Sequence, residues 1–348
     1  MTLLSLLLLA CPAPAPPSPA PWVAGAPLAL EPADAVAAAD LDGDGSDEII
    51  RVRQGVAHWR DRRADLGGTV QVVSRADLDG DGRQEALIAT GMGRASPEAP
   101  ARLWAIEEDG ARLLWEAQGP RNQVTELHLR PRTEGSGSRI FLVHFVDGKT
   151  VQGGWLEEGA LDVQHSQSMA TSMMPVSDGL LVGRLYGDQP RSDGDLRLHG
   201  ASTRTLTSLR GVRALASGDL DGDGSQDWLV ADGWHHAYGQ QALASVRLFP
   251  GDGSAPRVIA VLDGSYTVNR LEVVHPPAGG PALILATGSH GLWLLVPDAL
   301  GWSPLELARL GETDNAVLHR EGQALSVILS GLQARRVPIA QSTAILSP

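Results

Sequence analysis

Three nine-residue segments restrict this chain more than anything else in it. Asp40 to Glu48 reads DLDGDGSDE, Asp77 to Glu85 reads DLDGDGRQE, and Asp219 to Asp227 reads DLDGDGSQD. Counting each segment from its first aspartate, carboxylates occupy positions 1, 3, 5 and 9: Asp40, Asp42, Asp44 and Glu48; Asp77, Asp79, Asp81 and Glu85; Asp219, Asp221, Asp223 and Asp227. Four carboxylates in nine residues repel one another unless a cation sits among them. An all-oxygen donor set without His or Cys selects Ca²⁺, so about three calcium ions are expected. The glycine at position 6 (Gly45, Gly82 or Gly224) permits the sharp turn that wraps such a loop, and the carbonyl at position 7 (Ser46, Arg83 or Ser225) adds a further oxygen. The formal net charge is −13, which these twelve carboxylates nearly account for.

The same opening pattern begins an EF-hand loop, but that loop needs a carboxylate at position 12 on an exiting helix. Position 12 here is Arg51, Ile88 or Val230. The residues that follow, EIIRVR, EALIAT and DWLVAD, are short apolar runs rich in bulky side chains and read as strands. Each acidic loop therefore joins two strands.

A D-x-D-G-D-G loop between strands resembles the FG-GAP/VCBS repeats, whose best-known members form the head of integrin α chains. That resemblance implies an all-β fold, a seven-bladed β-propeller with calcium loops between the first two strands of some blades, and a role in binding more often than in catalysis. Four further stretches repeat the hairpin with neutral loops: 125–145, 172–185, 269–296 and 315–337. Seven blades of about 45 residues result. Six or eight stay open, because 172–200 is the least regular segment. VAHWR (56–60), RLWAIE (102–107), SVRLFPG (245–251) and LWLLVP (292–297) fit third strands. RLLWEAQ (112–118), RVIAVLDG (257–264) and PLELARLG (304–311) fit outermost ones. Closing the ring requires both chain ends in one blade, and APLALE (26–31) is the candidate outer strand of the last. The 40 glycines and 23 prolines suit many tight turns between short elements.

The chain opens with an apolar run, Leu3 to Ala10, too short to span a bilayer. LLAC (8–11) resembles the lipobox of bacterial lipoproteins, which implies a signal peptide over 1–10 and a lipid-modified Cys11. Residues 11–25 are Pro/Ala-rich and read as a tether, leaving 26–348 as the propeller domain. The expected location is the cell envelope, with the membrane reached through the lipid on Cys11.

Against 41 acidic residues the chain has only 28 Lys and Arg, which argues against nucleic acid as a partner. Cys11 is the single cysteine, so neither an internal disulfide nor a thiolate zinc site can form. No nucleophile elbow, H-E-x-x-H or P-loop occurs, and no catalytic residue is assigned. Trp59, Trp104, Trp155 and Trp293 recur near third strands and fit packing between blades. The loop Trp234 to Tyr238, with His235 and His236, is the candidate aromatic patch for a sugar or peptide. The functional expectation is a monomeric, calcium-binding scaffold for adhesion, its partner an unidentified protein or glycan. The alternatives are a propeller enzyme acting on polysaccharide or another envelope substrate, and a lectin-like module.

Overall fold

The computed structural model describes residues 22–341, except 94–95, 120, 134, 147–149, 186–192, 234–242, 277–280, 299–300, 310–314 and 332. Every regular element among the described residues is a β-strand. The strands form seven antiparallel sheets in a seven-bladed propeller, six of them four-stranded meanders of consecutive strands and the seventh completed by strands from the chain's other end. The innermost strands are Ala35–Ala39, Thr69–Ala76, Gln123–Pro131, Ala170–Val176, Val212–Gly218, Val268–Val274 and Ala316–Glu321, which define blades one to seven. The third and fourth strands expected from the sequence fall where they were placed. Blade two, for example, has Arg102–Ile106 third and Ala111–Glu116 outermost, and blade six has Leu292–Asp298 followed by Gly301–Ala308. The irregular stretch 172–200 is a complete blade four, and its inner hairpin Ala170–Val176/Gly179–Arg184 turns through only two residues.

In blades two, three and six burial is highest in the second strand and falls both toward the channel, which the innermost strands line, and toward the rim. In blade one all of Ala35–Ala39 is buried, while Arg62–Asp65 at its edge is mostly exposed. The apolar core is correspondingly divided into layers between blades. Trp59 packs with Val73, Ile88 and Ile106 between blades one and two. Trp293 lies with Leu229 and Leu248 between blades five and six, and Leu292 and Leu294 face Leu318 and Val327 between six and seven. Trp155 meets Phe141 edge-on with ring centroids 5.2 Å apart, beside the layer shared by blades three and four. The recurring tryptophans thus serve inter-blade packing, as their positions near third strands suggested. Each apolar cluster draws its residues from at least two neighbouring blades.

Such an arrangement depends on ring closure, and here the N-terminal residues supply it. Trp22–Ala24 and Leu28–Ala29 both pair antiparallel with Arg335–Gln341, completing blade seven from outside. Gly25 N–H donates to the Pro338 carbonyl at 2.7 Å between the two short strands. The expected closing strand at 26–31 is therefore present as Leu28–Ala29. The pairing also starts earlier, at Trp22, inside the segment read as tether.

The innermost strands leave one edge unpaired toward the axis, and side chains of neighbouring blades satisfy parts of it. Gln71 Oε1 accepts from Val124 N–H of blade three at 2.8 Å. Glu126 Oε2 accepts from Met173 N–H of blade four at 3.1 Å. Asn315 of blade seven both accepts from Val36 N–H (3.0 Å) and donates to its carbonyl (2.9 Å) in blade one.

One buried imidazole makes packing between blades two and three sensitive to acid. His144, on the second strand of blade three, stands edge-on to Trp115 of blade two at 5.2 Å, and burial pushes its pKa down to about 4. The folded protein keeps His144 neutral until pH reaches about 4, whereas the unfolded chain takes up a proton near 6.5. Stability contributed by this group is therefore complete above pH 6.5 and is lost as pH falls toward 4. Urea unfolding at pH 7 and pH 4 should show the parent protein losing up to about 3 kcal/mol more than a His144→Phe variant. Equal losses in the two proteins would contradict this.

Candidate metal centres

The acidic segments connect the first and second strands of blades one, two and five. They leave Ala39, Ala76 and Gly218 and re-enter strand at Glu48, Glu85 and Asp227. All three emerge on the face where the innermost strands end. Their internal hydrogen bonding is the same in each copy. In blade one the position-1 carboxylate, Asp40, accepts from Gly43 N–H (2.8 Å) and Gly45 N–H (2.9 Å). Asp77 and Asp219 accept from Gly80 and Gly82, and from Gly222 and Gly224. The position-3 carboxylates Asp42, Asp79 and Asp221 accept from the N–H of position 5. Those at position 5, namely Asp44, Asp81 and Asp223, accept from the N–H of Ser46, Arg83 and Ser225. The carboxylate at position 9 accepts from the position-2 N–H in each case, as with Glu48 and Leu41 at 2.9 Å.

Two glycines per loop make this frame possible. Position 4 (Gly43, Gly80, Gly222) and position 6 (Gly45, Gly82, Gly224) all have φ between 78° and 91°, a region that side chains rarely occupy. The turn expected at position 6 is thus shared with position 4.

The frame turns carboxylates toward a common point. Asp40, Asp42 and Glu48 bring one oxygen each within 4.8 Å of one another, as do Asp77, Asp79 and Asp81, and Asp219, Asp221 and Asp227. Ca²⁺ binds oxygens at 2.3–2.6 Å, so ligands of one ion can stand up to roughly 5 Å apart, and the three trios fit it. Asp44, Asp223 and Glu85 are outside their trios.

The loops differ in how their charge is balanced. In blade one, Arg60 pairs with Asp42 and lies 2.7 Å from Glu48. Its hydrogen bond holds the Asp42 carboxyl below the ordinary range. Arg83, at position 7 of the second loop, is 3.8 Å from Asp81 and 2.8 Å from Glu108. Burial pushes Glu85 up, against the Leu78 N–H that favours its charged form. In the third loop Asp227 is pushed up by burial, and its second oxygen accepts from Gly251 N–H at 2.8 Å.

Position 8 has a role that the ligand pattern did not reveal. Asp47 has a fully buried side chain that accepts from Arg75 Nη1 of blade two (2.5 Å) and from Arg320 N–H of blade seven (2.7 Å), with Arg320 Nη2 at 3.5 Å. Its own N–H donates to the Arg320 carbonyl at 2.8 Å. The neighbouring loops continue this contact: Gln84 N–H donates to the Asp40 carbonyl (2.8 Å), and Ser136 Oγ of blade three donates to the Asp79 carbonyl (2.9 Å).

A second candidate region lies at the other mouth of the central channel. The channel encloses about 650 Å³, and its far mouth about 450 Å³. In blades two to six the pairing of the first two strands slips by one residue, leaving Gln71, Thr125, Thr171, Arg213 and Asn269 as extra residues of β-bulges. All five line the far mouth, beside Met92, Phe145 and Glu126. Bulges redirect side chains, and here they form a polar collar. Within the channel, Glu126 lies 3.2 Å from His128 and also accepts from Ser172 Oγ and Met173 N–H, so it bridges blades three and four. The Trp234 to Tyr238 patch and Cys11 lie outside the described residues.

No known family profile matches the chain, and no curated protein is similar to it in sequence. Among solved structures it is similar to BBS1N in a mercury-soaked crystal of its complex with ARL6DN. The TM-score is 0.53 at 11% identity, covering 93% of this chain and 98% of that one. A lead-soaked crystal of the same complex gives 0.44 at 9% identity over the same shares. At this identity the likeness shows the propeller fold alone.

Removing one partner from a buried, multiply bonded carboxylate leaves the others uncompensated. Asp47→Ala should therefore lower stability by about 3 kcal/mol in urea unfolding, more than the removal of an exposed loop carboxylate such as Asp44. A loss below that of Asp44→Ala would contradict the bridging role.

Proposed function

We propose that this chain is an FG-GAP/VCBS-like propeller that binds calcium in its three acidic hairpins and works as a scaffold for a partner protein. One observation carries the calcium reading: three loops separated in sequence repeat one hydrogen-bond frame and gather three carboxylates each. The oxygen-only donor set favours a hard divalent ion. The ions would act structurally, because each trio belongs to its own hairpin and the loops of blades one and two contact each other and the neighbouring blades. For a site with Kd of roughly 0.1–1 mM, 1 mM Ca²⁺ contributes up to about 1.4 kcal/mol.

The partner would be met on the opposite face, where the bulge collar surrounds the channel mouth. That mouth combines amide, hydroxyl and guanidinium groups with Phe145 and Met92, a mixture suited to a protein side chain or a short peptide. That BBS1N, of similar fold, was crystallised in a complex with ARL6DN supports a protein-binding role. Lipid attachment at Cys11 would hold the propeller at the cell envelope, with the tether leading directly to the closing strand of blade seven.

Calorimetric titration of the EDTA-treated protein with Ca²⁺ should give about three sites. Asp40→Ala, Asp77→Ala and Asp219→Ala should each remove one, and calcium should raise Tm. No bound calcium and an unchanged melt would overturn the reading. Expressed in a bacterial host fed labelled palmitate, the full chain should incorporate label and a Cys11→Ser variant should not. Equal labelling of both, or none of either, would refute the anchor.

A further inference from the structure

The three hairpins share their ligand pattern but differ at the turn between the third and fourth strands of the same blade, which lies on the same face. In blade one this turn carries Arg60, whose guanidinium pairs with Asp42 and lies 2.7 Å from Glu48. Those are two of the three carboxylates that converge in loop one. In blade two the equivalent turn carries Glu108, an acid, which takes Arg83 at 2.8 Å. In blade five it supplies only a neutral donor, Gly251 N–H, to Asp227. Among the described residues no Lys or Arg forms an ion pair with Asp219, Asp221, Asp223 or Asp227, or with Asp40, Asp44, Asp77, Asp79 or Glu85.

Arg60 also has an unusual backbone. It sits at φ 48°, a left-handed conformation that glycine or asparagine adopts at lower cost than arginine. Gln54 and Glu158, the first residues of other two-residue hairpin turns, share this conformation at φ 52° and 49°, so the turn sets the backbone and the contact with the two carboxylates is an addition to it.

We infer that Arg60 is a built-in counter-ion of loop one, which occupies Asp42 and Glu48 when calcium is scarce and must be displaced for calcium to enter. The inference rests on the calcium reading above and deepens it. Loop one is then the weak site and loop five, the Asp219–Asp227 hairpin of blade five, the tight one, with loop two between them because Arg83 touches only Asp81 of its trio. Arg60 is about 40% exposed on its side chain, so its pairs with Asp42 and Glu48, and a third with Glu108 of blade two at 3.6 Å, are partly screened. The two pairs with loop carboxylates, together with repulsion between a guanidinium and an entering divalent ion, correspond to about a tenfold loss of affinity. The physical consequence is a graded response: loops two and five fill first, and loop one, whose Asp47 ties together blades one, two and seven, fills last.

The test isolates single sites in the full chain. With Asp77→Ala and Asp219→Ala together only loop one remains, and with Asp40→Ala and Asp77→Ala only loop five. Calorimetric titration with CaCl₂ should give a Kd about tenfold weaker for loop one than for loop five. Adding Arg60→Gln to the loop-one protein should tighten it about tenfold. Arg60→Gly removes the guanidinium while suiting the left-handed backbone, and should tighten it equally, which separates charge from turn geometry. A melt gives an independent readout. In EDTA, Arg60→Gln should lower Tm relative to the parent, and in 5 mM CaCl₂ that deficit should disappear. A loop-one Kd unchanged by either Arg60 variant, with loop five binding normally, overturns the counter-ion role. Absence of calcium binding in every protein, including the parent, overturns the calcium reading instead.

Discussion

Ring closure is the constraint on which the rest of this structure depends. Each apolar layer is shared between neighbouring blades, so an open ring would leave apolar faces and strand edges in water at both ends. The closure is made by two short strands, Trp22–Ala24 and Leu28–Ala29, against Arg335–Gln341, with a single bridge from Ala33 to Gly331 beyond them. A short outer pairing is weak alone, and a second set of contacts nearer the axis reinforces it. Asn315 bonds to Val36 across the same seam, and Asp47 accepts from both Arg320 and Arg75. The first acidic loop thus sits on the seam itself.

This placement gives the acidic loops a mechanical meaning. A loop with two left-handed glycines and four carboxylates is expensive to hold together without a cation. Its internal hydrogen bonds fix its shape and gather the charges at the same time. Because Gln84 bonds to the Asp40 carbonyl and Ser136 to the Asp79 carbonyl, order in one loop is passed to the next along blades one, two and three. Calcium at these points would stiffen the side of the ring where its two ends meet. The opposite mouth, with its bulge collar, lies on the face away from these loops.

Much of this was legible in the sequence. The nine-residue repeats located three inner hairpins, and third and fourth strands such as VAHW and RVIAV could be placed by their apolar runs and the glycines around them. What could not be read has physical causes. Asp47 looks like a spacer between ligands, and only the meeting of blades one, two and seven gives it partners. Trp22–Ala24 lies at the end of a Pro/Ala-rich stretch whose composition signals a tether, and tertiary pairing overrides that signal. The collar is invisible because a bulge is a slip of register between two strands, and Gln71, Thr125, Thr171, Arg213 and Asn269 share no residue type. Arg60 was hidden for a related reason: its position at a turn twelve residues beyond Glu48 becomes meaningful only when the blade folds it back over the loop.

Anomalous diffraction from crystals of the full chain, grown with Ca²⁺ and then with Tb³⁺ in its place, would locate the ions directly. Difference peaks are expected at the hairpins of blades one, two and five, all on the face where the innermost strands end, each within bonding distance of its position-1 and position-3 carboxylates. Peaks confined to other sites, or no peaks at saturating ion, would contradict calcium binding by these loops.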